Sequence, residues 1–315
     1  MRRSRPIAVA AVALAALTLL LPGAANAFCR TLTGAVGGAE PAAGCQGRGT
    51  PIFWKNRCVG YSVDRVASRR ISYEQTAQIV GNAFAAWSES ACPVDEGSSR
   101  VGIDVRDLGE VACGKVGYNA EGENQNVIIF QESSWPHAVD GNATGDSSTL
   151  GLTTVTFNKK TGEIYDADME INSYTFKVSV TDEVNPAGYD LPSIVTHEAG
   201  HFLGLAHSSD RNATMYASYN QGETKKRYLK LDDVLGICSA YLPDGTRVTG
   251  EGTEQAGAAC NPLPRRGLDR SCGATTPSGC SAAGTPGSAG PLGWLVSLGV
   301  VALGALATRR KLRPR

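Results

Sequence analysis

The chain has 315 residues, with 30 basic and 30 acidic side chains and a formal charge of zero. That neutrality is uneven: residues 1–27 and 281–315 carry three and five basic residues and no acid, leaving 22 basic against 30 acidic residues between them, net −8. The acidic centre argues against nucleic acid as the partner, because phosphate binding is driven by clustered Lys and Arg, and 42% apolar content excludes a disordered chain.

Residues 1–27 form the pattern of a secretory signal peptide: Arg2, Arg3 and Arg5, an apolar run from Ile7 to Leu21, and the small-residue ending Ala25-Asn26-Ala27. An uncleaved membrane helix is the weaker reading, since the run is short and a cleavage site follows. The mature chain is expected to begin near Phe28, outside the cytoplasm, with residues 28–49 as a short N-terminal extension. The main domain is expected over residues 50–243. Cys58 to Val63 alternates like a strand. Ser72 opens a helix with Gln75 three residues on, and Ala77, Val80, Phe84 and Trp87 give it one apolar face. Trp87 reads as core and not as a ligand. Val101–Val105 and Asn126–Phe130 read as strands. Leu152–Phe157 and Glu163–Asn172 read as two more, joined by a polar turn. Further helices are expected over Asp190–Leu205 and Leu231–Tyr241. Residues 244–280 shift to Gly, Pro, Ser, Thr and Ala, the composition of a flexible stalk.

Nine cysteines are present. Cys280 stands apart near the C-terminal tail. The other eight (Cys29, Cys45, Cys58, Cys92, Cys113, Cys238, Cys260 and Cys272) read as a set of up to four disulfides in an exported chain. The preferred local pairs are Cys92 with Cys113 and Cys260 with Cys272. No CxxC pair supports a metal-binding alternative.

Residues 197–207 read HEAGHFLGLAH, and three of the chain's four histidines fall in this window. His197 and His201 lie four apart, so on a helix they share one face and can take adjacent corners of a tetrahedral zinc. Glu198 stands beside the first ligand, where its carboxylate can reach a water at the open fourth corner and act as general base. Gly204 is the hinge: it lets the helix end in a left-handed conformation so that the chain turns back and presents His207 as third ligand.

This motif, with Ser208 to Tyr216 following it, resembles the metzincin proteases. The resemblance implies a methionine turn at Met215 beneath the zinc site. Within that group the chain is most similar to the matrixins, on His207-Ser208, the helix Leu231-Asp232-Asp233-Val234-Leu235-Gly236-Ile237 and the helix segment Ala83 to Ser88. The fold implied is α+β, a zincin-like domain with a twisted, mostly parallel sheet, an antiparallel edge strand and three main helices. The activity implied is zinc-dependent endopeptidase on an extended protein or peptide substrate lying beside the strand Thr149–Val155, with its side-chain preference set by the pocket walled by the segment after Met215. Only His137 remains outside the motif, so the histidine-rich second zinc of animal matrixins cannot be built, and the family's inhibitory cysteine-switch propeptide is missing. Cys29 as a cap on the zinc is the weaker reading against a disulfide. Asp146, Asp166, Asp168 and Glu170 read as a solvated strand face, with Ca2+, which matrixins often bind, as the alternative. A surface binding or adhesion module on an inactive scaffold is the competing function, disfavoured because all three ligands and Glu198 are kept. Another zinc hydrolase, acting on a non-peptide substrate, is a third.

The tail, residues 281–315, has an apolar run of 16 residues from Leu292 to Ala307 followed by a basic cluster. Physically it is a membrane anchor, slightly below the usual spanning length of about 17–25 residues. With Gly279-Cys280-Ser281 ahead of it, the arrangement also resembles the MYXO-CTERM sorting tag, which implies processing by a membrane protease near Cys280. The protein is expected to be exported, surface-attached or released after processing, and monomeric.

Overall fold

A five-stranded sheet backed by two long helices carries the site. The structure is a computed structural model that describes residues 27–34, 45, 47–112, 116–137, 149–181 and 188–270. The expected signal peptide up to Asn26, Cys113, Asp146, Cys272, Cys280 and the expected anchor fall outside the described residues. Within them, no helix is long and apolar enough to cross a membrane.

In chain order the first half comprises β1 (Cys29–Arg30), β2 (Cys58–Asp64), α1 (Tyr73–Ser88), β3 (Ala91–Pro93), β4 (Ser98–Arg100), β5 (Asp104–Val111) and β6 (Val127–Gln131). The second half comprises β7 (Gly151–Phe157), β8 (Ile164–Asn172), β9 (Val178–Ser179), β10 (Tyr189–Asp190), α2 (Leu191–Phe202), β11 (Leu205–Ala206), α3 (Leu231–Ala240), β12 (Thr246–Val248) and β13 (Glu254–Ala256). The main sheet runs in the order β5-β2-β6-β8-β7. Its pairs are parallel except β7–β8, the antiparallel edge. The architecture is therefore the expected α+β arrangement.

Alternation along the strands sorts the core. Tyr61, Val63, Ile128, Ala167, Met169 and Ile171 join the main cluster together with Val80, Phe84 and Trp87 of α1 and Ile194, Val195, Ala199 and Phe202 of α2. The helix α1 starts where Ser72 accepts a hydrogen bond from Gln75 N, the capping half that the sequence calls for. Thr76 is buried on its inner face, while Ala77 is half-buried. Phe84 meets Phe202 edge-on at 4.9 Å, and Trp87 Nε1 donates to Thr196 O at 2.8 Å, which ties α1 to the turn of α2 just before His197.

The opposite face of the sheet is covered too. Val111, Val127 and Ile129 form a second cluster with Val116 and Leu268. Asp166, Asp168 and Glu170 share that face and are buried, which corrects the expectation of a solvated strand face.

The expected stalk is corrected as well: residues 244–270 fold against the domain. β12 and β13 form a hairpin. Arg247, fully buried, donates to Trp54 O at 2.8 Å, Asn56 O at 2.7 Å and Gly102 O at 2.9 Å, over the ring of Tyr241. Asn124 Nδ2 donates to Arg265 O at 2.9 Å and Gln125 Nε2 to Asp269 O at 2.6 Å. Little of the segment's surface is apolar, so composition points to disorder; its ordering entropy is offset by polar anchors and a covalent one.

That covalent anchor is Cys58–Cys260, and the other disulfides are Cys29–Cys45 and Cys92–Cys238. The expected pairs Cys92–Cys113 and Cys260–Cys272 are thereby overturned. Nearness in sequence was the wrong guide: β3 lies against α3, and the C-terminal segment lies along β2.

Candidate metal centre

The helix that carries the first two ligands is firmly started. Asp190 caps α2 by accepting from Ser193 N at 3.0 Å, Pro192 sits in the first turn, and Arg227 grips the same carboxylate at 2.6 and 2.8 Å. The helix stops at Phe202. Gly204 follows with φ +90°, and a β-carbon there would come within 2.9 Å of Ile52 O. Its role as hinge is therefore both conformational and steric.

The turn brings His207 back to His197 and His201. The ring centroids are 4.9, 5.2 and 4.8 Å apart, and His201 Nε2 lies 3.2 Å from His207 Nε2. Among the described residues this trio is the cluster of three or more ligating side chains whose donor atoms converge. Two corners of a zinc tetrahedron with Zn–N of about 2.0–2.1 Å are about 3.3 Å apart, so the spacing fits. The protonation state fits as well. His197 Nδ1 bonds Thr214 O at 2.6 Å and His201 Nδ1 bonds Leu205 O at 2.8 Å. A carbonyl can only accept, so both rings carry their proton on Nδ1 and leave Nε2 bare for a metal. Burial, then the neighbouring ligands, hold His197 far below the ordinary histidine range and push His207 down to about 3. Neutral imidazoles are what a zinc site requires.

Glu198 is buried beside this trio. Thr153 Oγ1 of β7 donates to its Oε2 at 2.8 Å and to its backbone O at 3.1 Å. A β-carbon at Gly151 would lie 2.9 Å from Glu198 Oε1, so glycine there makes room for the carboxylate. Burial raises the carboxyl above its usual value, opposed by His201, Thr153 and Lys226.

Met215 is buried below α2. A β-carbon on Gly200 would come within 2.2 Å of its sulfur and 2.8 Å of Trp87 Cζ2, so the helix approaches the methionine closely only because residue 200 has none. The turn itself hangs from α3: Asp233 Oδ2 accepts from Thr214 N at 2.8 Å and Oδ1 from Met215 N at 3.0 Å. Asp233 thus holds the residue whose carbonyl orients His197. Neighbouring Asp232 accepts from Ser208 Oγ at 2.6 Å and from the backbone N of Ala27 and of Phe28 at 2.9 Å each.

Thr153, Gly151, Gly200 and Asp233 were not singled out from the sequence as site residues; each acts through a neighbour that only the fold supplies. Lys226 is a further case. It is buried, bonded to Tyr216 O, near the Tyr216 and Tyr219 rings, and held at about 8 chiefly by burial.

The remaining sequence candidates lie elsewhere. His137, expected as a loop residue, meets buried Glu170 at 2.6 Å, and Gln131 Nε2 donates to the other Glu170 oxygen at 2.6 Å. Asp168 accepts from Gly117 N at 2.6 Å and Val127 N at 2.8 Å. Of the four carboxylates expected to offer Ca2+ a site, Asp146 lies outside the described residues, protein donors already engage Asp168 and Glu170, and among the described residues Asp166 Oδ1 has no partner.

Comparison with known proteins agrees with the geometry. Residues 115–242 match the family model described as Matrixin. Metalloendoproteinase 4-MMP of Arabidopsis thaliana is 37% identical over 92 residues, 29% of this chain and 25% of that protein. Human Matrilysin is 50% identical over 46 residues, 15% and 17% of the two chains, and human Neutrophil collagenase 49% over 55 residues, 18% and 12%. The chain thus spans a quarter or less of each of these relatives. The stretch from residue 115 to the end of α3 is matrixin-like in sequence, and the three histidines, Glu198 and Met215 all fall within it.

Proposed function

We propose that the protein is an exported zinc endopeptidase that hydrolyses peptide bonds of extended protein substrates. One observation carries the reading: a buried carboxylate, Glu198, held by Thr153 beside three converging, neutral histidines. His197, His201 and His207 would hold the ion. When bound, zinc supplies Lewis acidity that polarises the scissile carbonyl and acidifies water. Glu198 takes the water's proton and passes it to the departing amine. Thr153 fixes which oxygen of Glu198 faces the site. The substrate lies along β7, the edge of the main sheet, as an added strand. Its side chain beyond the cut sits against the segment that follows Met215.

Export follows from the signal peptide and from three disulfides, which persist in oxidising compartments. Residues 281–315 retain the chain at a membrane, or are removed near Cys280. A cation at Asp166 would have that single free oxygen to start from, so one catalytic zinc is the proposed metal content.

The test is Glu198→Gln with casein as substrate. The variant should keep one zinc per chain and lose cleavage by about 10²–10⁴-fold. Wild-type cleavage in the variant overturns the reading, and zinc binding without cleavage in the wild type leaves the adhesion module instead.

A further inference from the structure

We propose that the N-terminal strand β1, with Thr31 as its positioning residue, is an outer support of the metal centre that the Cys29–Cys45 bridge keeps in place. The inference rests on the zinc reading above and names residues outside the matched matrixin stretch.

Three contacts carry it. β1 runs antiparallel to β11, with Cys29 opposite Ala206 and Arg30 opposite Leu205. Thr31 N donates to the carbonyl of the hinge Gly204 at 2.9 Å. Thr31 Oγ1 donates to Leu205 O at 3.1 Å, the same carbonyl that receives His201 Nδ1 at 2.8 Å. Leu205 O is therefore fixed from two sides, once by a ligand and once by the N-terminal segment. Its position sets the ring plane of His201, and the next two residues lead to His207. Ligands of a metal are oriented by such second partners, and losing one typically weakens metal binding about 10–100-fold.

The pairing is short and leans on bonds outside the ladder: Asp232 accepts from Ala27 N and Phe28 N, and Thr31 O accepts from Ile52 N. Two residues of β-ladder are far below what is stable alone. Cys29 adds the covalent tether: it is buried in β1 and bonded to exposed Cys45. Arg30 adds a second anchor through its guanidinium to Ile52 O at 3.1 Å and to Val248 O. With the bridge lost, only these hydrogen bonds hold β1, so it can shift against the turn and weaken the second donor to the carbonyl behind His201.

The experiment measures zinc affinity of the exported chain by competition with a chromogenic chelator, for wild type, Thr31→Val, Thr31→Ser and the double variant Cys29→Ser/Cys45→Ser. Thr31→Val should bind zinc about tenfold more weakly, Thr31→Ser should match wild type because it keeps the donor, and the double variant should be at least as weak as Thr31→Val. Circular dichroism of the zinc-free forms checks that the fold is kept. Wild-type affinity in Thr31→Val, or equal weakening in Thr31→Ser, overturns the role of the hydroxyl. Wild-type affinity in a folded double variant overturns the role of the bridge. A wild-type chain that takes up no zinc removes the zinc reading and this proposal together, a result distinct from the others.

Discussion

At Glu198, two opposing influences meet. Burial favours the neutral acid, while the Thr153 hydroxyl and nearby positive charge favour the carboxylate that can accept a proton. The acid limb of kcat/KM reads how these influences balance in the loaded site. Thr153→Val removes a hydrogen bond to the charged form, so the limb should move up in pH and kcat/KM at neutral pH should fall about tenfold, the scale of one charge-assisted bond; a pH–rate profile reads both. Asp166 is the other telling carboxyl, raised to about 8 by burial and then by the charge of Asp168 and their shared hydrogen bond. Between about pH 4 and 8 the folded chain keeps a proton that the unfolded chain has released, so its contribution to stability is present in acid and lost as pH rises through about 8. Asp166→Asn should flatten the dependence of melting temperature on pH and melt higher than wild type at about pH 9. The histidine motif was legible because metal chemistry fixes donor type and spacing together. Thr153 was not: a threonine in a strand is ordinary until the fold sets Glu198 against it. The burial of Asp166, Asp168 and Glu170 was hidden for the opposite reason. Alternating acids mimic a wet strand face, and the cover comes from elsewhere in the chain, including the segments bearing Gly117 and His137, which bond Asp168 and Glu170.

Among elements, α3 reaches the metal ligands through the methionine turn. Its first turn presents Asp233 to the backbone of Thr214 and Met215, and Thr214 O in turn receives His197. Asp233→Ala would leave buried N–H groups without partners, a loss of about 3 kcal/mol, and would let the carbonyl behind His197 drift. Denaturant melts should show the stability loss, and zinc competition a weaker site in the same variant; unchanged zinc affinity would detach the turn from the ligand. Elements with strong periodicity were legible: α1, α2, α3 and the β7–β8 hairpin lie where their patterns put them. The two-residue strands β1 and β11 have no period to read, and their pairing is set by where the hinge after α2 sends the chain.

Across the whole molecule, the segment after α3 is the largest revision. Compositional reading treats residues as an average, whereas Arg247, Cys260 and Leu268 each act at one point. A chain ending at Leu242 loses the donor to three backbone carbonyls and the partner of Cys58. Such a chain should not reach a protease-resistant fold, although it contains every residue of the metal centre and the whole matched family stretch; limited proteolysis against the chain ending at Arg270 measures this. The consequence reaches into synthesis. Arg247 bonds Trp54 across 193 positions and Cys260 closes on Cys58 across 202. As the chain is made, His197, Glu198, His201 and His207 emerge well before the residues that lock the sheet around them. Completion of the fold is thus deferred to the last segment to be made: until residues 247–260 arrive, the three histidines are present but have no rigid frame to hold them in register.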